Sequence, residues 1–152
     1  MTRLSDNAAL NFLINSLNTG LPAKVVKKRV TFSTLTTGAV DTHDLFTVSG
    51  AIACTVIGVC RTDLAGAGAT IEVGIVGTTA GIIAETAGTN IDEDEIWISN
   101  APAKIFTLNN TNFPVRAVSA DIKYTIKTAA VSGGVIDFYC LYSAITEDGA
   151  VQ

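Results

Sequence analysis

Two different hydrophobic patterns divide the chain. In residues 5–17, apolar side chains cover more than one face of a predicted helix, which Ser5 or Asp6 would cap and which ends before Gly20. Because such a helix can pack on two sides, we expect it to lie on its own domain or to dock into a neighbouring molecule. The residues expected to make the docking contacts are Leu10, Phe12, Leu13 and Leu17.

From residue 21 onwards, apolar and polar residues alternate as they do in β-strands. The clearest example is residues 121–127, where Ile122, Tyr124 and Ile126 are separated by polar side chains. Turns rich in Gly and Thr separate roughly eight to ten such segments, with no helical pattern between them. The sequence therefore predicts an all-β fold. We expect an antiparallel β-sandwich or jelly-roll-like domain at residues 21–152, with a short N-terminal helix in residues 1–20.

Residues 51–59 depart from this alternation because they are apolar or small on both faces. A strand in the middle of a sandwich, covered from two sides, has this pattern. We therefore expect this segment to form the centre of the core.

The composition indicates a protein that meets other proteins. The chain is 48% hydrophobic and only 16% charged, against about 25% charged residues in an average soluble domain. Interface cores are depleted in charge, although secreted β-proteins share this composition.

A net charge of −4 disfavours nucleic acid and anionic membranes as partners. For Lys24, Lys27, Lys28 and Arg29, a solvated strand face that guards a sheet edge is favoured over a phosphate contact.

The three cysteines are Cys54, Cys60 and Cys140, an odd number that excludes a complete disulfide framework. In one strand, Cys54 and Cys60 would lie about 20 Å apart and could not bridge. We expect three buried thiols in a protein assembled in the cytosol. No apolar stretch has the roughly 18 residues of a membrane span, and residues 1–6 do not begin a secretion signal.

Few residues offer chemistry. The single histidine, His43, would share a strand face with Asp41 but has no third ligand nearby in sequence, so a polar strand face or turn is favoured over a metal site. Three copies of His43 around a three-fold axis would reverse that preference. The acidic run at residues 92–95 lacks the spacing of a calcium loop, and a solvated turn is favoured over cation binding.

Catalysis is not indicated by any motif. A serine or cysteine nucleophile would have only His43 as its base, and no glycine-rich segment has the form of a phosphate-binding loop. Paired carboxylates of a glycosidase would need an aromatic platform for the sugar, which the sequence does not reveal. We predict a protein that is not an enzyme and has no cofactor or metal.

Four aromatic residues could serve a carbohydrate-binding sandwich: Trp97, Tyr124, Tyr139 and Tyr142. Aromatic residues make up only 7% of the chain, and most of them alternate onto predicted core faces. Core packing is therefore favoured. Rings clustered on an exposed concave face would indicate sugar binding, whereas rings dispersed in the core would indicate assembly.

Residues 43–60, 69–75 and 91–97 resemble small structural proteins of tailed phages, namely capsid decoration, auxiliary and fibre-base proteins. The similarity covers residues 31–98 and consists of short strands rich in Gly and Thr with few charges. It implies a virion component assembled in the host cytoplasm, a homo-oligomer with a trimer favoured, that binds other virion proteins such as the major capsid protein. Head decoration is the first expectation. A neck, tail or fibre-base component and a carbohydrate-binding β-sandwich module are the alternatives.

Overall fold

The described fold consists of antiparallel strands of 2 to 14 residues, joined mostly by tight turns. It is given by a computed structural model that describes residues 24–107 and 114–152. The predicted helix, with Leu10, Phe12, Leu13 and Leu17, lies outside these ranges and stays a prediction. The described strands are β1 (Lys24–Thr31), β2 (Thr42–Phe46), β3 (Val48–Ser49), β4 (Ile52–Ala65), β5 (Thr70–Ile75), β6 (Thr78–Ala87), β7 (Ile96–Trp97), β8 (Arg116–Val118), β9 (Ile122–Lys127), β10 (Gly133–Ala144) and β11 (Ala150–Val151), with a 3₁₀ helix at Gly88–Asn90.

Two sheets contain most of the strands. The first has the order β1-β10-β4-β7, and β8 pairs with β4 as well. Both short strands fit along β4 because it is 14 residues long, so that β8 pairs with residues 52–54 and β7 with residues 58–59. The second sheet has the order β2-β9-β5-β6, and β3 forms a separate pair with β11. Every pairing between these strands is antiparallel.

The core lies between the two sheets. Tyr124 of the second sheet stacks on Phe138 of the first, with ring centroids 6.3 Å apart. Trp97 meets the same Phe138 edge to face at 6.1 Å. The indole Nε1 of Trp97, on β7, also donates a hydrogen bond of 2.8 Å to Oγ1 of Thr86, on β6. The predicted all-β fold with an antiparallel β-sandwich is confirmed.

Strand β4 is central, as expected for the segment at residues 51–59. Cys54, Val56 and Cys60 belong to the core between the sheets. Gly58 lies so close to Trp97 that a Cβ atom there would be 3.2 Å from the indole Cε3. Ile57 lies on the opposite face of β4 and is half-buried. The apolar residues of β4 therefore include some that point away from the core between the sheets.

The three cysteines are free and buried, as predicted. Cys54 is paired across the strands with Tyr142 and so lies diagonally to Cys140 on the core side of the sheet. Contact with the Cys54 thiol, together with burial, raises the pKa of Cys140. This thiol contact joins strands that are far apart in sequence, and residue spacing does not predict it.

Candidate functional site

The side of the first sheet that points away from the core is the candidate site. Alternation along β10 sends Phe138, Cys140 and Tyr142 into the core and residues 137, 139 and 141 to the opposite side. The strand register brings residues of β1 and β4 alongside them. We call this surface the outer face. It comprises Val25, Lys27 and Arg29 of β1, Ile57, Val59 and Arg61 of β4, and Asp137, Tyr139 and Leu141 of β10.

Much of the outer face is apolar. Val25 is 58% exposed although it is a large hydrophobic residue, and Ile57, Val59 and Tyr139 are half-buried. Leu141 is buried but does not belong to the core cluster between the sheets. Apolar side chains on the outward side of a sheet are typical of a surface that another protein covers.

The outward side of the second sheet is different because its polar groups are paired with one another. The ammonium of Lys123 pairs with Asp44. Lys127 lies 2.9 Å from Oε1 of Glu72 and 3.1 Å from Oε2 of Glu85. Among the described residues, Oε2 of Glu72 and Oγ1 of Thr70 lack a hydrogen-bond partner, but the charges on this side are paired with one another, so it offers less free charge to a partner than the outer face does.

Asp137 is the centre of charge on the outer face. Its side chain is fully buried, and it accepts hydrogen bonds from Nε of Arg29 at 2.7 Å and from Nη2 of Arg29 at 2.9 Å. Lys27 and Arg61 approach the same carboxylate to 3.4 Å and 3.5 Å. The Arg29 hydrogen bonds, followed by its charge and by Lys27, lower the pKa of Asp137 to about 2.

Three cations therefore share one carboxylate. The side chains of Lys27, Arg29 and Arg61 remain about half exposed, and Lys27 also lies over the Tyr139 ring at 5.8 Å. The cluster is held rigidly by the buried carboxylate and still has a surplus of positive charge facing outwards. It can receive an acidic group from a partner.

Strand β1 lies at the edge of its sheet, as predicted for a strand rich in Lys and Arg. Among the described strands, β10 is its one ladder partner. Lys24 lies 5.9 Å from the centre of the Tyr142 ring, and Lys28 is close to the backbone oxygen of Asp44 at 3.4 Å.

The acidic run forms a turn just before β7, as predicted. Asp92, Glu93 and Asp94 are exposed. Backbone hydrogen bonds of 2.9 Å join the amide of Asp94 to the carbonyl of Cys60, and the amide of Cys60 to the carbonyl of Glu95. Within residues 24–107 and 114–152, no group of three or more His, Cys, Asp or Glu side chains has the arrangement of a metal site.

The contacts of His43 are those of a residue that stabilises the fold. Its ring stacks on Tyr124 with centroids 4.8 Å apart, and its Nε2 lies 2.8 Å from the carbonyl oxygen of Ala39. Oδ1 of the neighbouring Asp41 accepts a hydrogen bond from the Thr42 amide. The polar strand setting favoured from the sequence is the one observed, and Asp41 is not drawn into a ligand set with His43 among the described residues.

The aromatic rings are dispersed. Trp97, Tyr124 and Tyr142 are buried between the sheets, and Tyr139 is on the outer face.

A pocket of about 170 Å³ lies between β5, β6 and β8 and is lined by Ile75, Ile82 and Arg116 among others. It is smaller than the roughly 300 Å³ of common ligand sites. Nor does any helix in the described ranges have the length and hydrophobicity needed to span a membrane.

Comparison with protein-family models, with curated proteins and with solved structures gave no significant match. The outer face of the first sheet is therefore the main indication of what the protein does.

Proposed function

We propose that the protein is a non-enzymatic structural component of a tailed-phage particle, a head decoration or auxiliary capsid protein that self-associates and binds neighbouring capsid subunits. The observation that carries this proposal is the contrast between the two sheets. The second sheet has an exterior whose charged groups form ion pairs with one another, and the first has an apolar exterior built around a half-exposed cation cluster.

The residue types on the outer face suit protein binding. Tyr and Arg are enriched among the few residues that dominate interface energies, and Tyr139 and Arg29 are both held in place by neighbours on β1 and β10. Ordered side chains lose little conformational entropy when a partner binds. The predicted helix, with Leu13 and Leu17, would supply a second apolar contact in the same assembly.

The described side chains also favour a non-catalytic role. Burial raises the pKa of the Cys60 thiol to about 11 and that of the Tyr124 phenol to about 12. Both groups therefore stay protonated at neutral pH, and neither is an activated nucleophile. His43 is engaged with Ala39 and Tyr124 rather than with a serine or a cysteine.

The carbohydrate-binding alternative receives less support. A sugar site would place several aromatic rings together on an exposed surface, whereas three of the four candidate rings are buried between the sheets. Tyr139 is the remaining one, and its immediate neighbours on the outer face are aliphatic side chains and cations.

Fractionation of phage particles tests the proposal. Particles from a lysate of the source culture are separated on a density gradient, and an antibody against the chain is used to find it. The protein should migrate with the particle band, and immunogold labelling should place it on the head. Labelling of the neck, tail or fibre base would support the alternative that the protein is a component of that part of the particle. A chain found only in the soluble fractions, together with binding on a glycan array, would contradict the proposal.

A further inference from the structure

The first sheet carries opposite charges at its two edges. The edge strand β1 contains Lys24, Lys27, Lys28 and Arg29, and the acidic turn of residues 92–95 lies beyond β4 on the other side. We infer that these edges bind each other in neighbouring copies, so that the basic edge of one copy contacts the acidic turn of the next. This inference rests on the self-association proposed above and specifies its geometry.

The acidic turn lies at the same height along the strands as the end of the basic edge that contains Lys28 and Arg29. Arg29 and Val30 of β1 pair with Asp137 and Ile136 of β10, and these two residues pair in turn with Val59 and Cys60 of β4. Cys60 is the residue whose backbone holds the acidic turn. The turn and the basic edge are therefore separated by three strand spacings, roughly 14 Å in all. Copies placed side by side would bring the two edges together without a shift along the strands.

Within the described residues, the basic edge is neutralised only in part and the acidic turn forms no ion pair. Asp137 is the one carboxylate that forms ion pairs with the cations of β1 among residues 24–107 and 114–152. In the same ranges, no ion pair involves the carboxylates of residues 92–95 or that of Asp63. Oδ1 of Asp63 accepts a hydrogen bond of 2.6 Å from the Glu93 amide, which adds a fifth carboxylate to the turn.

A head-to-tail contact fits these charges better than a two-fold contact between identical edges. Two β1 strands facing each other would bring Lys and Arg of one copy against those of the other, and like charges across an interface disfavour association. A basic edge on an acidic turn is attractive. A repeated contact of this heterologous kind closes into a ring when the rotation allows it, and a trimer of the kind that the phage resemblance implies would be such a ring.

Charge reversal can test each side of the contact separately. On the basic edge, Lys24→Glu with Lys28→Glu leaves the Asp137 cluster intact. On the acidic turn, Asp92→Lys with Glu93→Lys spares Glu95 and Asp63, whose side-chain oxygens accept backbone hydrogen bonds. It also spares Asp94, which has a positive φ of 67°. Glu147→Lys, at an exposed position between β10 and β11, is the matched control.

The Kd of self-association is measured by sedimentation velocity. Each one-sided reversal should raise the Kd at least about tenfold, because like charges then face each other. All four substitutions in one chain should return the Kd to within a few-fold of the wild-type value, since the two charged edges have exchanged signs. Glu147→Lys should leave it unchanged. Far-ultraviolet circular dichroism confirms that each variant is folded.

A salt titration of the wild type checks the inference without any substitution. Raising the salt concentration from about 0.05 M to about 0.5 M should raise the Kd several-fold, because salt screens the attraction between exposed charges. An oligomer whose Kd responds neither to salt nor to the one-sided reversals would overturn this inference and leave the proposed self-association standing. So would a four-substitution variant as weak as the one-sided variants. A monomeric wild type would overturn both.

Discussion

Arg29 and Asp137 are separated by 108 positions in the sequence but form two parallel hydrogen bonds across β1 and β10. The arginine comes from an exposed edge strand, and the carboxylate is fully buried. The pair therefore attaches β1 to the rest of the sheet and fixes the position of the guanidinium on the outer face. Removing the acid should affect both the stability of the domain and its response to pH.

The sign of the pH effect follows from the lowered pKa of Asp137. Because its pKa falls from 3.8 to about 2 on folding, the ionised carboxylate stabilises the folded chain above about pH 4, and this contribution is lost as the pH falls towards 2. Asp137→Asn should reduce the free energy of unfolding at pH 7 by about 1 to 3 kcal/mol. The difference from the wild type should shrink below pH 4.

Urea unfolding at a series of pH values measures this difference. Glu147→Gln is the control, because Glu147 is exposed and should behave as the wild type throughout. An Asp137→Asn variant as stable as the wild type at pH 7 would show that the cation cluster does not depend on its carboxylate.

The hydrogen bond from Trp97 to Thr86 joins the two sheets inside the core. Thr86→Val keeps the side-chain shape but leaves the buried indole N–H without this acceptor, so the free energy of unfolding should fall by about 1 to 3 kcal/mol. Thr34→Val, at an exposed position, should change it by less than about 0.5 kcal/mol. Thermal unfolding followed by tryptophan fluorescence gives both values, and equal effects at the two sites would contradict this role for Thr86.

The cysteines should respond to a thiol reagent only when the chain unfolds. All three are buried and free, so the native protein should react slowly and the denatured protein should give three thiols per chain. A denatured count of one would reveal a disulfide, most directly between the neighbouring Cys54 and Cys140.

The predicted helix should contribute to assembly independently of the charged edges. Leu13→Ala and Leu17→Ala each remove an apolar anchor, and together they should weaken self-association by a few kcal/mol if they lie at the centre of the contact. Ala9→Ser is a mild control on the same segment. Sedimentation of the two single leucine variants, the double leucine variant and the control over one concentration series compares them, and no loss of self-association in the double leucine variant would show that the helix is not part of the interface.

The sequence predicts which side of a strand is buried better than it predicts which other strands pair with it. The alternation around Tyr124 identifies the buried side of β9, because inward and outward residues follow from a local period of two. The apolar pattern of residues 51–59 likewise predicts a central strand with a second covered side. The pairing of β1 with β10 is not predicted, because it depends on the packing of residues more than 100 positions apart.

For the same reason, the sequence does not predict the cation cluster. Asp137 is visible as a lone acid between Ile136 and Phe138, and Arg29 is visible in a basic run. Both signals are local, and only the register of the sheet joins them. A single acid inside an otherwise apolar strand is the signal that could direct attention to such a site, since a buried carboxylate needs a partner.

The mass of the protein in solution tests the central claim most directly. Light scattering behind a sizing column should give the mass of several chains of 15.8 kDa each, with three chains favoured, at concentrations well above the measured Kd, and the mass should fall only on dilution into the range of that Kd. A mass of one chain at every concentration tested, with no shift of the chain into the particle band of the density gradient, would contradict a role in assembly.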